Sequence, residues 1–428
     1  MVNGVSDLNP AAGNSANPSR AARQISLREH NLGLVLQTVI HAEEPLSRAQ
    51  ISAQVGLTRA TVSMLVDKLL AARLLRELQP EPSARSGRPG TPLSPARGTV
   101  IGLGLEINVD YLGVRALDLS GEVVAESVKS VDARQRTPAE NIADLARHVA
   151  TVRREVEGAG GVVVGATFAL PGVVDSPHGP LRVAPNLNWK NVDALALMSD
   201  HPEFSGFTTN LANEANLAAV AEAAARPEPN FIYVSGEIGV GGALVLDGNV
   251  FAGQHGWSSE LGHITVDPNG DRCTCGARGC LERVAGQEEL LAAAGIPSEN
   301  SDPATGISGL IAALKARDEA GLAAVDAAGR AFGVALSDVV NLFDVNTVVI
   351  GGFHAALLPW LKPRIESEMG ERVLTAAWAV PQILEPKILD GAALTGAALT
   401  SLRGVLESPA AWLEKLESLG IAVGKSAR

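Results

Sequence analysis

Two stretches of this chain are built to one plan, and that repetition narrows the fold more than any other feature. TVIGLGLEINVDYLGVRALDLSGEVV (99–124) alternates as strand, turn, strand and a Leu-Ser-Gly hairpin. NFIYVSGEIGVGGALVLDGNVF (230–251) repeats the order, with Gly239, Gly241 and Gly242 in its turn and a Leu-Asp-Gly hairpin. Helical stretches follow each copy, over Asn141 to Val156 and Leu322 to Phe343. One supersecondary unit used twice predicts two related α/β lobes with a cleft between them. LTGAALTSL, near the C-terminus, is expected to return to the first lobe. A chain of 428 residues has room for these lobes and a further domain.

Charge marks where that further domain lies. Up to Gly98 there are 11 basic and 7 acidic residues, a net of +4, so −16 of the overall −12 falls on the rest. A basic N-terminal piece on an acidic body points to a nucleic-acid-binding module. Residues 1–24 read as a disordered tail rich in Ala, Asn, Ser and Pro. In 25–82, Leu32, Val35, Leu36 and Val39 recur at helical spacing, as do Val62, Leu65, Val66 and Leu69. Pro45 and Gly56 separate three helices, with Ser47 and Thr58 placed as N-caps. Helix, glycine turn, helix is the helix-turn-helix pattern. The residues expected at the major groove are Thr58, Arg59, Thr61 and Ser63, an arginine being able to donate twice to guanine. Residues 83–98 read as a wing and linker, where Arg88 in Gly-Arg-Pro suits a minor groove. On pattern alone a plain three-helix bundle with exposed arginines stays open.

All three cysteines, Cys273, Cys275 and Cys280, lie within GHITVDPNGDRCTCGARGCLE (262–282), with His263 upstream. Three thiolates and an imidazole make a closed tetrahedral zinc set, structural rather than hydrolytic. The alternative is a buried cysteine cluster without metal. The odd thiol count and the lack of a signal-like N-terminus lead us to expect a cytoplasmic protein without disulfides. No membrane span is expected, because the longest apolar run, Gly160 to Val174, is broken by Pro171.

The duplicated unit, with VVIGGFHAAL (348–357), resembles the actin-like, hexokinase-like sugar kinase fold. ELGHITVDPNG followed by CTCGARGCLE resembles the signature of the ROK family, which groups bacterial repressors with sugar kinases. ALPGVVD (169–175) and APNLNW (184–189) are similar to its sugar-side loops. The resemblance covers about residues 25 to 405, and the helix-turn-helix places the chain in the xylose-repressor-like branch. It implies a ROK sugar-binding body over 99–405, a C-terminal helix and tail over 406–428, and a winged helix-turn-helix in front. It implies sugar ligands at Asn213, Glu214, Glu260, His263 and Glu282, and zinc on His263, Cys273, Cys275 and Cys280. It implies a homodimer or homotetramer responding to a sugar, such as one of xylose metabolism, on operator DNA.

The kinase half departs from the family pattern. The catalytic aspartate of N-D-A-N is Glu214 here, and a carboxylate displaced by about an ångström can cost on the order of 10²-fold in rate. The D-x-G-x-T phosphate loop is matched by Glu106-Ile107-Asn108-Val109-Asp110, and Glu237 stands near the second loop. Acids around a triphosphate repel it. Loss of phosphoryl transfer is therefore expected, with an active sugar kinase carrying a DNA module as the alternative.

Overall fold

In the computed structural model, residues 20–79, 90–297 and 303–418 are described; Arg85 and Arg88 lie outside them. The chain divides into two compact units, one running to Pro95 and resuming at Val405, the other spanning Ala96–Gly404.

The N-terminal unit begins with α1 (Arg20–Ile40), inside the stretch expected to be a tail. Then come β1 (Leu46–Ser47), α2 (Arg48–Val55), α3 (Arg59–Ala71), β2 (Leu75–Glu77) and β3 (Pro92–Pro95). Ser47 caps α2 through a capping box with Gln50, and Thr58 caps α3 by accepting from the Thr61 N–H. Each cap offers an acceptor to a helix N–H that has no intrahelical partner. The three strands pair in the order β1-β3-β2, a small antiparallel wing. Leu36, Val62, Leu65 and Leu69 are fully buried, as their spacing predicts, and Ile51 of α2 joins them.

In the larger unit, β4 (Val100–Ile107), β5 (Tyr111–Asp118) and β6 (Val123–Ser130) form a meander. α4 (Pro138–Gly158) crosses to β7 (Val162–Leu170), which pairs parallel to β4. A small sheet of β8 (Val173–Val174), β9 (Leu181–Ala184) and β10 (Trp189–Val192) follows, then α5 (Ala194–Ser199). β11 (Thr208–Asn213) completes the first lobe and runs into α6 (Glu214–Ala225). The second lobe opens with β12 (Phe231–Ser235), β13 (Gly241–Leu246) and β14 (Asn249–Val250). After the cysteine loop come α7 (Glu282–Ala285), α8 (Gln287–Ala293), α9 (Pro303–Lys315) and α10 (Glu319–Phe343). β15 (Thr347–Ile350), α11 (Phe353–Arg372), β16 (Gln382–Leu384), α12 (Ala392–Glu407) and α13 (Pro409–Ser418) close the chain.

The two main sheets have one topology. The first runs β6-β5-β4-β7-β11 and the second β14-β13-β12-β15-β16, each with two antiparallel and then two parallel neighbours. Each lobe buries its own core. A third cluster, including Ala169, Leu217, Tyr233, Val349 and Ala397, takes residues from both sheets and from α6 and α12, and so joins the lobes. α12 does return to the first lobe: Ser401 Oγ donates to the Leu103 carbonyl at 2.9 Å. Toward the C-terminus, where a helix and tail are expected, α13 belongs to the unit that contains α1, and Gln37 Nε2 donates to the Leu406 carbonyl at 3.3 Å.

Candidate functional site

The cleft of the larger unit is lined from both lobes. The first supplies Asn108, Pro171, Gly172, Asn186, Asn213 and Glu214; the second supplies Ser235, Glu237, Gly239, Glu260, His263 and Glu282. All five expected sugar ligands are therefore brought together. Asn213 ends β11 and caps α6: its Oδ1 accepts from the Asn216 N–H at 3.1 Å and its Nδ2 donates to the Gly172 carbonyl at 2.9 Å. It thus fixes the Pro171-Gly172 turn against the head of the helix that carries Glu214.

The metal loop reaches the same cleft. His263 Nδ1 lies 3.8 Å from Cys273 Sγ, Cys275 Sγ lies 3.7 Å from Cys280 Sγ, and all four ligand atoms fall within 4.8 Å of one another. A tetrahedron with Zn–S of about 2.3 Å has S···S edges of about 3.8 Å. The donor set therefore fits zinc in both chemistry and spacing. With Nδ1 toward the sulfurs, Nε2 is the imidazole nitrogen left for the cleft. Gly276 and Gly279 both adopt positive φ, at 100° and 66°, which turns the chain sharply between the thiols.

Toward the expected nucleotide half, the cleft is acidic and carries no Lys or Arg among its lining residues. Glu106 is fully buried on β4, and burial pushes its carboxyl up to about 7. Its Oε2 has no hydrogen-bond partner among the described residues. Asn108 Nδ2 donates to Glu106 Oε1 at 3.3 Å and to Glu214 Oε2 at 3.2 Å, so one amide tethers two carboxylates. Burial pushes Glu237 up to about 8 and Glu214 well above the usual carboxylate range, with Glu106 adding repulsion to both. Glu260 is raised as well, by burial.

The glycine turn of the second copy is engaged by a side chain of the same lobe. Glu282 Oε2 accepts from the Val240 N–H at 3.2 Å, and a Cβ on Gly239 would strike that same oxygen.

Sequence reasoning missed two features. Asn108 was seen only as part of a degraded loop, yet it bridges the acids. The other is a contact between the ALPGVVD loop and the segment after β14: Trp257 Nε1 donates to Asp175 Oδ1 at 3.0 Å while Arg182 pairs with the other carboxylate oxygen. Trp257 and Asp175 are too far apart in sequence for pattern to pair them. The expected DNA-reading residues sit at the head of α3. Thr58 and Arg59 are exposed, Thr61 and Ser63 half-buried, and the Thr58 and Thr61 hydroxyls lie 2.9 Å apart.

Two five-stranded sheets of one topology, a cleft between them and a Cys₃His loop on its wall define an actin-like, hexokinase-like body that follows a winged helix-turn-helix in the sequence. The ROK family model matches residues 103–403, and the chain belongs to the ROK family. The xylose repressor of Bacillus subtilis (strain 168) is 27% identical over 356 residues, which is 82% of this chain and 89% of that protein. A solved ROK family transcriptional regulator, a homologue of the E. coli MLC protein, superposes with TM-score 0.74 at 27% identity, covering 91% of this chain and 99% of that one. The ROK hexokinase of Thermus thermophilus gives TM-score 0.57 at 27% identity, covering 98% of its own chain but 72% of this one. The likeness to the regulator thus extends over more of this chain than the likeness to the kinase. No helix among the described residues is long and apolar enough to cross a membrane.

Proposed function

We propose that this protein is a sugar-responsive, DNA-binding transcriptional repressor of carbohydrate metabolism, acting in the cytoplasm as a homodimer or homotetramer. Its ROK body binds the sugar and does not phosphorylate it. The observation that carries this reading is Glu237 on the cleft wall, Glu106 buried near it, and no Lys or Arg among the lining residues, which leaves a triphosphate no cation to meet. The sugar half keeps the acceptors a polyol needs, from Asn213, Glu214, Glu260, His263 and Glu282.

Zinc on His263, Cys273, Cys275 and Cys280 supplies a fixed crosslink, and the chain's residues do the recognition. His263 presents its second nitrogen to the cleft, and Glu260 and Glu282 flank it in sequence on either side of the loop. In the N-terminal unit, Thr58, Arg59, Thr61 and Ser63 read the major groove, while Arg88 reaches the adjacent minor groove. A sugar that binds one lobe arrangement more tightly than the other shifts the DNA-binding population.

The test joins three measurements. Thermal-shift screening against pentoses, hexoses and amino sugars identifies the effector. Fluorescence anisotropy with the upstream DNA then reads release on its addition, and a coupled assay reads ATP turnover. We expect a DNA affinity that the effector weakens at least tenfold, loss of that response in Glu260→Ala, and loss of DNA binding in Arg59→Ala. Turnover of ATP at ordinary kinase rates, or indifference of DNA binding to every sugar that shifts the melting temperature, overturns the reading.

A further inference from the structure

The cleft is short of positive charge. Four carboxylates, Glu214, Glu237, Glu260 and Glu282, line it, and no Lys or Arg does. The cations whose fields reach this region, Arg115 at Glu106 and Arg134 at Asp110, already have partners. Arg115 pairs with Glu126 at 2.7 Å, and Arg134 with Asp132 at 3.0 Å and Glu288 at 3.7 Å. Behind Glu260 there is no cation either. The segment Ser259-Glu260-Leu261 backs an apolar groove of about 250 Å³, lined by Phe251, Val339, Leu342 and Phe343.

The acids are also short of donors. An ionised carboxylate can accept about four hydrogen bonds. Among the described residues Glu214 receives one, from Asn108, and Glu282 one, from the Val240 N–H. Glu237 and Glu260 line the cleft with no hydrogen-bond or ion-pair partner for either carboxylate among those residues. Glu106 is fully buried, with Oε1 on the amide that also serves Glu214 and Oε2 without a partner. Asn108 has nothing more to give, since its Oδ1 already accepts from the Val109 N–H at 2.7 Å.

We propose that the effector carries an ammonium group: an amino sugar with its nitrogen unacylated, its hydroxyls toward Asn213, Glu260 and His263 and its nitrogen between Glu214 and Glu237. This rests on the sugar-responsive reading above and names the class of sugar. An ammonium brings three donors and no acceptor, whereas a hydroxyl brings one donor together with lone pairs that the acids repel. It also adds a direct attraction to the carboxylates that a neutral sugar lacks. Burial and mutual repulsion hold Glu214 and Glu237 above the usual carboxylate range, and a cation between them relieves both. A phosphorylated sugar would bring a like charge instead. A bare metal ion fits less well, because among the described residues the group whose ligand atoms close to metal spacing is the Cys₃His set.

Calorimetric titration of the full-length protein with matched sugars tests it. Glucosamine, galactosamine and mannosamine are each compared with the parent hexose and the N-acetyl derivative, with xylose as a neutral pentose, and DNA release is read by anisotropy alongside. In at least one set the amine is expected to bind at least tenfold tighter than every neutral sugar, and to release DNA at a correspondingly lower concentration. Glu237→Gln should cut that advantage to about threefold or less. A neutral sugar that binds as tightly as the best amine and releases DNA overturns the ammonium and leaves the sugar-responsive reading standing. An advantage that survives Glu237→Gln overturns the proposal too, since the nitrogen then sits elsewhere. If no sugar of either kind binds or moves DNA, both readings fall. Should Glu237→Gln fail to fold, Glu214→Gln takes its place, read by the same ratio of amine to neutral sugar.

Discussion

Glu106 and Glu237 are carboxyls held where a charge is poorly tolerated, and this has a measurable sign. Their folded values, about 7 and about 8, lie above the value of 4.5 for a free glutamate. Between those limits the folded protein holds protons that the unfolded chain has released. Stability therefore falls as pH rises from about 4.5 to about 8. His354 acts the other way in the lower part of that range. Burial lowers it to about 4, so it withdraws stability as pH falls from 6.5 toward 4 and is silent above that. Calorimetry from pH 6.5 to 8.5 thus isolates the acids. Glu237→Gln is expected to flatten the decline and to gain stability at pH 8, by at most a few kcal/mol at about 1.4 kcal/mol per pKa unit. A wild type equally stable at pH 6.5 and 8.5 would show that these carboxyls find a compensating partner. At this scale the four candidate metal ligands were legible because one short stretch spells them out. The convergence of Glu106, Glu214 and Glu237 was legible only through the resemblance to a kinase, since composition cannot say that three distant acids meet. Asn108 was not legible, because an amide that ties two acids together looks like any other loop asparagine.

The cysteine loop is an element whose glycines do different jobs. Gly276 needs its positive φ, but a Cβ there meets nothing within 4 Å; at Gly279 a Cβ would strike the Asp267 carbonyl as well. Gly276→Ala is expected to cost about 1–2 kcal/mol, the ordinary penalty of a left-handed alanine. Gly279→Ala should cost more and lower the zinc content, read by elemental analysis beside thermal melting. Equal losses at the two positions would refute the crowding argument. Helix caps at Ser47 and Thr58, the buried stripes of α1 and α3, and the duplicated meander were readable because their signals are local. The parallel partners β11 and β16 were not, for parallel strands are joined by long crossovers that leave no mark of register in the sequence. The small sheet of β8, β9 and β10 was missed because its strands are too short to show alternation.

For the molecule as a whole, the N-terminal unit and the repeated lobes follow the sequence's two changes of style, at the end of the wing and between the sheets. The place of α13 does not, because nothing in 409–418 says which distant helix its apolar residues Trp412 and Leu416 will meet. A repressor of this plan needs its effector site to be felt elsewhere. The acids of the cleft offer local recognition.

Ser258 to Leu261 is a partition shared by two rooms. Glu260 looks into the polar cleft, while the same few peptide units close the apolar groove behind it, and Ser259 is held there at a φ of 68° that serine rarely adopts. A wall this thin cannot lean in one room without being noticed in the other. Phe251→Ala, a change on the groove side alone, should then shift the dissociation constant of an effector bound in the cleft, read by calorimetric titration. An unchanged constant would mean that the partition is rigid.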